Sequence, residues 1–302
     1  MLKPRLQYIH AHRQEILIET VKSCVSWLFL CVTVIGSLLA FLPAQGVEWL
    51  HSALSYGWHH LWLPALILLL IVLIAFMVNI PRTRAIYKDT ATDIRIIIEC
   101  CDILRQEGLK VIHTVDTFDA ELGRIISPRS LHGAFLQYGL DRQADIDALL
   151  DEGLRSLQPA GTNPDLPGRK AYYPLGTVCP VDIDQERFCC VAFTHLQPEG
   201  SIAISKDEYV RCLKRMWRNL AQAQIRSEVI NVVVMGNKFV DLPAQFSTEQ
   251  KIDIMIQTFF AAAREKTCCR TLRICVHPNN VSEIDFAHYP IIIEHLAKRP
   301  VI

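Results

Sequence analysis

Two long stretches without a charged side chain dominate the N-terminal part of the chain. The first lies between Lys22 and Glu48, and the second lies between Glu48 and Arg82. Their apolar cores, Val25–Leu42 and Leu61–Ile80, are each long enough to cross about 30 Å of hydrocarbon as a helix. This pattern predicts two transmembrane helices that form a hairpin.

The predicted hairpin spans residues 23–82 and follows a short N-terminal segment, residues 1–22. Several Lys and Arg residues precede the first span and follow the second, whereas residues 43–60 carry none. Because cytoplasmic loops are enriched in these residues, we expect both termini to face the cytoplasm. A cleavable signal peptide is the alternative for the first span, but its leader is too long and the second span would still anchor the chain.

Strand and helix patterns alternate through residues 83–302, which we interpret as one domain. Alternating or continuous β-branched runs predict strands at 93–101, 109–115, 187–195, 229–235 and 271–276. Amphipathic patterns and capping residues predict helices at 131–140, 145–157, 205–223 and 247–265. Residues 158–176 are rich in Pro and Gly and predict a loop. The alternation predicts the α/β class, as a three-layer α/β/α domain with a mixed sheet.

Charge and cysteine content argue against a nucleic-acid interface and against a metal site. The chain carries 31 Lys and Arg against 31 Asp and Glu, whereas nucleic-acid binders usually have a basic surplus. We therefore expect no nucleic-acid partner, and the basic residues of 206–218 to form a solvated face. The 11 Cys include no CxxC and no Cys/His pattern at zinc spacing, which favours buried, reduced thiols and predicts no metal site.

Three loops follow predicted strand ends, where open α/β sheets bind ligands. They comprise 115–119 with its continuation to 133, then 174–178, and then 235–239. Each contains a glycine that lets the backbone approach a ligand closely, at Gly133, Gly176 and Gly236. A helix that starts near Ser130 would also direct its N–H groups at an anion. Single glycines of this kind are also common in ordinary turns.

The order of these loops resembles that of a known family. Cys101-Asp102-Ile103 is followed by VDTFDAELGRIISPRSLHG at 115–133, PLGTV at 174–178 and VVVMGNKFVDLP at 232–243. This run is similar to the macro domain of Thoeris-type bacterial antiphage effectors, over about residues 90–302. The two predicted spans match the membrane-anchored type of these systems, which implies a bacterial inner-membrane protein.

The resemblance implies the ligand and the residues that bind it. Macro domains bind ADP-ribose and its derivatives, and in this branch a partner TIR-domain enzyme makes an ADP-ribose joined to histidine. Asp102 matches the residue that accepts from the adenine amino group, with Ile103 beside the ring. The loop that lines the distal ribose is matched by Asp116, Thr117, Phe118 and Asp119, and the helix start beside it by Ser130, His132 and Gly133. The two backbone cradles of the diphosphate are matched by Gly176, Thr177 and Val178 and by Gly236, Asn237, Lys238 and Phe239. No catalytic residue and no cofactor is implied.

Three positions depart from the family pattern. Cys101 stands where a glycine is common, Asp116 where an asparagine is usual, and Lys238 where a second glycine would complete a G-x-G turn. Lys238 would either supply a cation to the diphosphate or narrow the pocket. The extra carboxylate of Asp116 would suit a ligand that bears an amine or an imidazolium, which is a hypothesis about specificity.

Three of the implied site residues have a structural alternative. His132, beside a glycine at a helix start, either contacts the ligand or has a structural role. Phe118 is either a ring-stacking or lid residue or a core residue. Asp119 either lines the ribose or makes an Asx turn.

The resemblance implies a receptor and effector in one chain. Ligand binding would favour an oligomer, whose clustered spans would damage the inner membrane and cause abortive infection. One alternative is a membrane-anchored hydrolase of ADP-ribosyl groups or ADP-ribose derivatives, although the sequence offers no positioned nucleophile and base. A passive membrane-tethered scaffold is another.

Overall fold

The computed structural model describes residues 13–41, 66, 69–75, 83–223, 227–236 and 246–298. The chain divides into two compact units, Met1–Arg82 and Thr83–Ile302.

Among the described residues of the first unit, Arg13–Phe41 form the long helix α1. Many of its apolar side chains are exposed, among them Leu17, Trp27 and Phe29. Among the residues that the structure describes, no helix combines the length and apolar character needed to cross a membrane. Most of the second predicted span, Leu61–Ile80, lies outside the described residues. The two spans are therefore not confirmed and stay predictions.

A mixed sheet forms the centre of the second unit. The strands of this sheet are β1 (Arg84–Lys88), β2 (Arg95–Cys100), β3 (Leu109–Val115), β6 (Val178–Ile183), β7 (Glu186–Leu196), β8 (Ile202–Ala203), β9 (Val229–Val233) and β10 (Thr271–Val276). They run in the order β1-β2-β10-β9-β3-β7-β6, and β8 pairs with β7. The pairs β2/β10, β10/β9, β9/β3 and β3/β7 are parallel, whereas β1/β2, β6/β7 and β7/β8 are antiparallel.

Helices cover both faces of this sheet. On one face, α2 (Leu131–Leu140) and α3 (Ile146–Leu154) pack through residues such as Phe135 and Leu150 against Ile112 and Val181. On the other face, α4 (Lys206–Gln222) brings Tyr209 against Phe193 with 5.8 Å between ring centroids. Helix α5 (Thr248–Glu265) packs on α4 through Phe259 and Trp217. The predicted α/β class and mixed sheet are confirmed.

Several elements are absent from the sequence prediction. The Pro- and Gly-rich segment contains a small hairpin, β4 (Gly161–Thr162) and β5 (Ala171–Tyr172). The edge strand β6 buries Val178, Val181 and Ile183 and leaves Pro180 and Asp182 exposed, so its alternation is clear only once its partner β7 is known. Strand β1 and the C-terminal helix α6 (Tyr289–Lys298), which contacts it, are also additional.

Asn231 is a buried amide inside an otherwise apolar strand. Its Nδ2 donates to the carbonyl oxygens of Glu107 at 2.8 Å and Leu109 at 3.2 Å. Its Oδ1 accepts from Nη1 of Arg273 at 3.0 Å. One side chain therefore ties β9 to the start of β3 and to β10 at a point where a buried polar group must be bonded.

We expect Asn231→Leu to lower the free energy of unfolding by about 2–4 kcal/mol, because two carbonyls and a guanidinium would lose a partner. Urea denaturation of the full chain measures this change. The matched control is Asn279→Leu at an exposed asparagine, which should change stability by less than about 0.5 kcal/mol. Equal effects of the two substitutions would contradict the role given to Asn231.

Candidate ligand-binding site

The predicted site residues follow the carboxyl ends of three parallel strands. Asp102 comes after β2, Asp116 after β3 and Gly236 after β9. Because these strands run parallel in one sheet, their carboxyl ends lie at the same edge. The sheet therefore brings the three predicted groups to the side at which α/β proteins bind ligands.

Asp102 caps the short 3-10 helix Ile103–Arg105. Its Oδ1 accepts from the backbone N–H of Leu104 at 3.1 Å, and its Oδ2 lies 3.3 Å from Nε of Arg105. The side chain is 54% exposed, so this carboxylate is accessible to a donor from solvent. Ile103, in contrast, is buried and stabilises the turn from within.

The loop after β3 is packed inside the domain. Thr117, Phe118 and Asp119 are all buried. The hydroxyl of Thr117 donates to Oδ2 of Asp119, whose Oδ1 accepts from the backbone N–H of Arg169 at 2.8 Å. Phe118 has a positive φ of 52° and packs edge-on against Tyr173, with 5.5 Å between ring centroids. The polar side chains of this loop are therefore bonded to one another and to the segment around Arg169.

Burial is the main influence on the Asp119 carboxyl and raises its pKa. The hydrogen bonds from Thr117 and from the Arg169 backbone oppose this shift. Gly168 passes so close that an added Cβ would lie 1.9 Å from Oδ1 of Asp119. Asp119 therefore anchors the segment around Gly168, a long-range contact that differs from the local Asx turn of the alternative.

Asp116 is paired with a histidine that the sequence does not single out. Its Oδ2 lies 2.7 Å from Nδ1 of His195, and its Oδ1 accepts from the backbone N–H of Leu196 at 3.0 Å. On the other side of the ring, Nε2 of His195 lies 3.4 Å from Oε1 of Glu208. The hydrogen bond to Asp116 is the main reason that the pKa of His195 is raised. The sequence feature that could have identified His195 is its position at the end of a predicted strand, now β7, where α/β proteins often place ligand-binding residues.

The start of α2 is built around a serine cap and a tightly packed glycine. Oγ of Ser130 accepts from the backbone N–H of Gly133 at 2.9 Å and donates to the carbonyl of Ser127 at 2.7 Å. A Cβ at Gly133 would lie 2.2 Å from that same carbonyl oxygen. Only glycine fits here because the 127–133 loop folds directly over the helix start.

His132 is buried as a neutral imidazole. Burial is the main cause that lowers its pKa, to about 3, and nearby His113 adds to the effect. His113, on β3, has its own pKa lowered to about 4 by burial. Within the described residues, Nε2 of His132 has no hydrogen-bond partner. Its burial is compatible with the structural alternative, whereas its unpartnered nitrogen is compatible with a ligand contact.

The backbone of the turn at 174–177 is held by hydrogen bonds within the turn and to neighbouring segments. The N–H of Gly176 donates to Ala192 at 2.7 Å, and its carbonyl accepts from Nδ2 of Asn219 at 2.8 Å. The N–H of Thr177 donates to the carbonyl of Pro174 at 3.0 Å. Val178 is buried and begins β6. The structure thus presents this turn as a support for the sheet, because the N–H groups of Gly176 and Thr177, two of the three residues expected to cradle a diphosphate, already have partners within the protein.

The turn after β9 adjoins a buried lysine. Gly236 has a φ of +80°, and its carbonyl accepts from Nζ of Lys251 at 2.9 Å. Lys251, in the first turns of α5, is 2% exposed, and its burial lowers its pKa. Asn237, Lys238 and Phe239 lie outside the described residues. A cation is therefore present beside the predicted diphosphate turn, from a helix position that no sequence motif marks.

No group of three or more His, Cys, Asp or Glu side chains within the described ranges is arranged to hold a metal ion.

Gly176 combines a left-handed backbone with a steric limit. It has a φ of +86°, and an added Cβ would lie 2.7 Å from the carbonyl oxygen of Cys212. Gly200 has nearly the same φ, +84°, with nothing within 4 Å of such a Cβ.

We expect Gly200→Ala to lower the free energy of unfolding by about 1–2 kcal/mol, which is the ordinary cost of this backbone region for a residue with a side chain. Gly176→Ala should cost clearly more, because α4 must move. Urea denaturation of both variants tests this, and equal losses would contradict it.

Comparisons with known proteins give a family and a set of distant structures. Residues 96–277 match the family model described as "Thoeris protein ThsA, Macro domain". No curated protein matches the chain. Two similar solved structures are of the Oceanobacillus iheyensis macrodomain, one with MES bound and one with ADP.

The structure with MES is 13% identical, has a TM-score of 0.43, and the match covers 70% of this chain and 97% of that one. The structure with ADP is 14% identical, with a TM-score of 0.43 and coverage of 71% and 98%. A mutant of tomato leucine aminopeptidase is 12% identical, with a TM-score of 0.39 and coverage of 70% and 37%. The family match spans more than half of the chain, and the chain therefore belongs to the Thoeris ThsA macro-domain family.

Proposed function

We propose that this chain is the receptor for an ADP-ribose-derived signal nucleotide in a Thoeris defence system. Membership of the ThsA macro-domain family carries the proposal. The exposed carboxylate of Asp102 provides an acceptor suited to the adenine amino group. Buried Lys251 beside Gly236 provides a positive charge near the turn assigned to the diphosphate. Both groups lie at the same edge of the sheet.

The specific ligand in this proposal is an ADP-ribose joined to histidine, made by a partner TIR-domain enzyme. The sequence resemblance to the membrane-anchored branch of the family supports this choice. Free ADP-ribose is the natural comparison compound, because it shares the adenosine and diphosphate and lacks the conjugated group. Any difference in affinity between the two then reports on the site around the distal ribose.

The proposed output is damage to the bacterial inner membrane. Residues 23–82 would anchor the chain as a two-span hairpin with both termini in the cytoplasm, and the ligand would favour a self-associated state with clustered spans. The uncharged stretches of the sequence and the exposed apolar side chains along α1 support this step. The consequence in an infected cell would be abortive infection.

One observation favours a second function, hydrolysis of ADP-ribosyl groups or ADP-ribose derivatives. Asp116 and His195 form a carboxylate–imidazole pair of the kind that orients a general base. The opposite ring nitrogen, however, faces the carboxylate of Glu208 and not a hydroxyl or thiol. Because both ring nitrogens already face carboxylates, this imidazole is poorly placed to accept a proton from a substrate, and we favour the receptor.

Asp102→Asn tests the adenine contact. We expect a loss of affinity for both ADP-ribose and its histidine conjugate of roughly 10-fold or more, because an accepting carboxylate is replaced by a neutral amide. Calorimetric titration of the full chain measures both affinities. The matched control is Asp182→Asn, an exposed aspartate on β6, which should bind as the unaltered chain does.

Two outcomes of this titration would contradict the receptor proposal. Failure of the unaltered chain to bind either compound would remove its basis. Steady turnover of either compound, seen as product by chromatography, would favour the hydrolase instead. Equal affinities of the two aspartate variants would reject Asp102 as the adenine contact while leaving the receptor in place.

Deletion of residues 1–82 tests the division between sensing and output. We expect the shortened chain to retain ligand binding and to lose toxicity in cells that carry the TIR-domain partner, because clustering of the spans is the proposed damaging step. Cell viability and membrane integrity after phage infection measure the output. Toxicity that persists without residues 1–82 would contradict the membrane mechanism.

A further inference from the structure

We infer that His195 is a positioning residue for ligand binding, because it joins the loop after β3 to the N-terminus of α4 through carboxylates on both sides of its ring. This inference rests on the proposed receptor function. His195 is not among the predicted ligand contacts, and it would act through Asp116, which is one of them. The two joined elements are the ones that carry or support the predicted ribose and diphosphate contacts.

The first half of the connection fixes Asp116. Nδ1 of His195 lies 2.7 Å from Oδ2 of Asp116, while Oδ1 accepts from the N–H of Leu196 at 3.0 Å. The backbone of Asp116 is held as well, since its N–H donates to Thr194 and its carbonyl accepts from Tyr173. Both carboxylate oxygens are therefore bonded to the end of β7, and the loop 116–119 begins from a fixed point.

The second half of the connection reaches helix α4. Nε2 of His195 lies 3.4 Å from Oε1 of Glu208. The other oxygen of this carboxylate, Oε2, accepts from the N–H of Ser205 at 2.9 Å and from its hydroxyl at 2.6 Å. Glu208 is thus both the N3 residue of the α4 capping box and the partner of His195.

Helix α4 also holds the 174–177 turn from behind. Nη1 of Arg215 donates to the carbonyl of Leu175 at 3.1 Å, and Nδ2 of Asn219 donates to that of Gly176 at 2.8 Å. The N–H of Tyr173, just before this turn, donates to the carbonyl of Asp116 at 2.9 Å. A shift of α4 away from His195 would therefore disturb both segments at once.

The charge on the ring decides how strong this connection is. The groups that face His195 are Asp116 from the loop after β3 and Glu208 from α4, and the paired strand β8 contributes only Ile202 and Ala203. The hydrogen bond to Asp116 is the largest influence and raises the pKa of His195 above its usual 6.5. The pKa of Glu208 is lowered below 4.5, chiefly by Ser205.

The sign of the pH dependence follows from these directions. A raised histidine pKa in the folded chain means that its stabilising effect is complete below pH 6.5 and is lost as pH rises through the folded-state value. A lowered glutamate pKa means that its effect is present above pH 4.5 and is lost below that. The connection is therefore strongest at mildly acidic pH and weakens as the pH rises through the folded-state pKa of His195.

Commitment of Asp116 to His195 also changes the hypothesis about specificity. A carboxylate with both oxygens bonded to the protein and 3% exposure does not offer a direct partner to a ligand imidazolium. Asp116 would then support the ribose loop for every ligand of this class. Loss of the Asp116 carboxylate should then lower the affinity for ADP-ribose and for its histidine conjugate equally. If Asp116 contacted the conjugate directly, its loss would lower the affinity for the conjugate more.

The test is calorimetric titration of the full chain with both compounds between pH 5.5 and 8.5. His195→Asn keeps a neutral donor near the Nδ1 position and removes both the charge and the reach to Glu208. We expect the unaltered chain to bind more weakly as pH rises, and this variant to bind roughly 10-fold more weakly at pH 6 with little further pH dependence. Asp116→Asn should lower the affinity for both compounds by the same factor.

A second histidine–aspartate pair provides the matched control. His288 lies 2.5 Å from Asp285 through the same ring nitrogen, but its side chain is 71% exposed and belongs to a separate surface segment. His288→Asn should therefore keep the affinity and the pH profile of the unaltered chain. An affinity and pH profile of His195→Asn that equal those of this control would overturn the inference.

Amide hydrogen exchange tests the same connection without a ligand. The N–H groups of Leu196 and Tyr173 donate to the side chain and backbone of Asp116, so His195→Asn should speed their exchange severalfold, and His288→Asn should not. Unchanged exchange at both amides would overturn the inference. If the unaltered chain binds neither compound but these amides respond, the receptor proposal fails and the connection through His195 stands.

Discussion

Parallel alignment of neighbouring strands is the constraint on which the rest of this domain depends. Because β2, β10, β9, β3 and β7 run in one direction, the chain must leave the sheet repeatedly at the same edge. The loops that start there cannot all remain solvated, since helices cover both faces and the loops pack against one another. Several polar groups at this edge are therefore buried and must find partners within the protein.

Those partners account for the character of the site. Asp116, Asp119 and Lys251 are nearly inaccessible, and each is bonded to a neighbouring segment: the end of β7, the loop around Gly168, and the turn at Gly236. The result is a ligand face whose supports are charged and buried, while Asp102 remains exposed. Pre-organisation of this kind lowers the ordering cost when a flexible nucleotide binds.

The distribution of roles between helices follows from the same packing. Helix α2 begins at the site through Ser130 and Gly133, and α5 contributes Lys251 in its first turns. Helix α4 contacts the site indirectly, through Glu208 at its N-terminus and through residues that hold the 174–177 turn. Hydrogen bonds and an ion pair therefore connect the position of α4 to the end of β7 and to the 174–177 turn.

The sequence by itself determined the alternation of helices and strands, the capping boxes at Ser205 and Ser247, and the motif order on which the family resemblance depends. These features are local, since hydrophobic periodicity and side chain-to-backbone caps involve residues a few positions apart. Only the tertiary structure decided that Asp116 pairs with His195, that α4 bonds to the carbonyl of Gly176, and that Lys251 bonds to the carbonyl of Gly236. Each of these contacts joins residues far apart in the chain, and the burial that makes them obligatory exists only after the sheet has assembled.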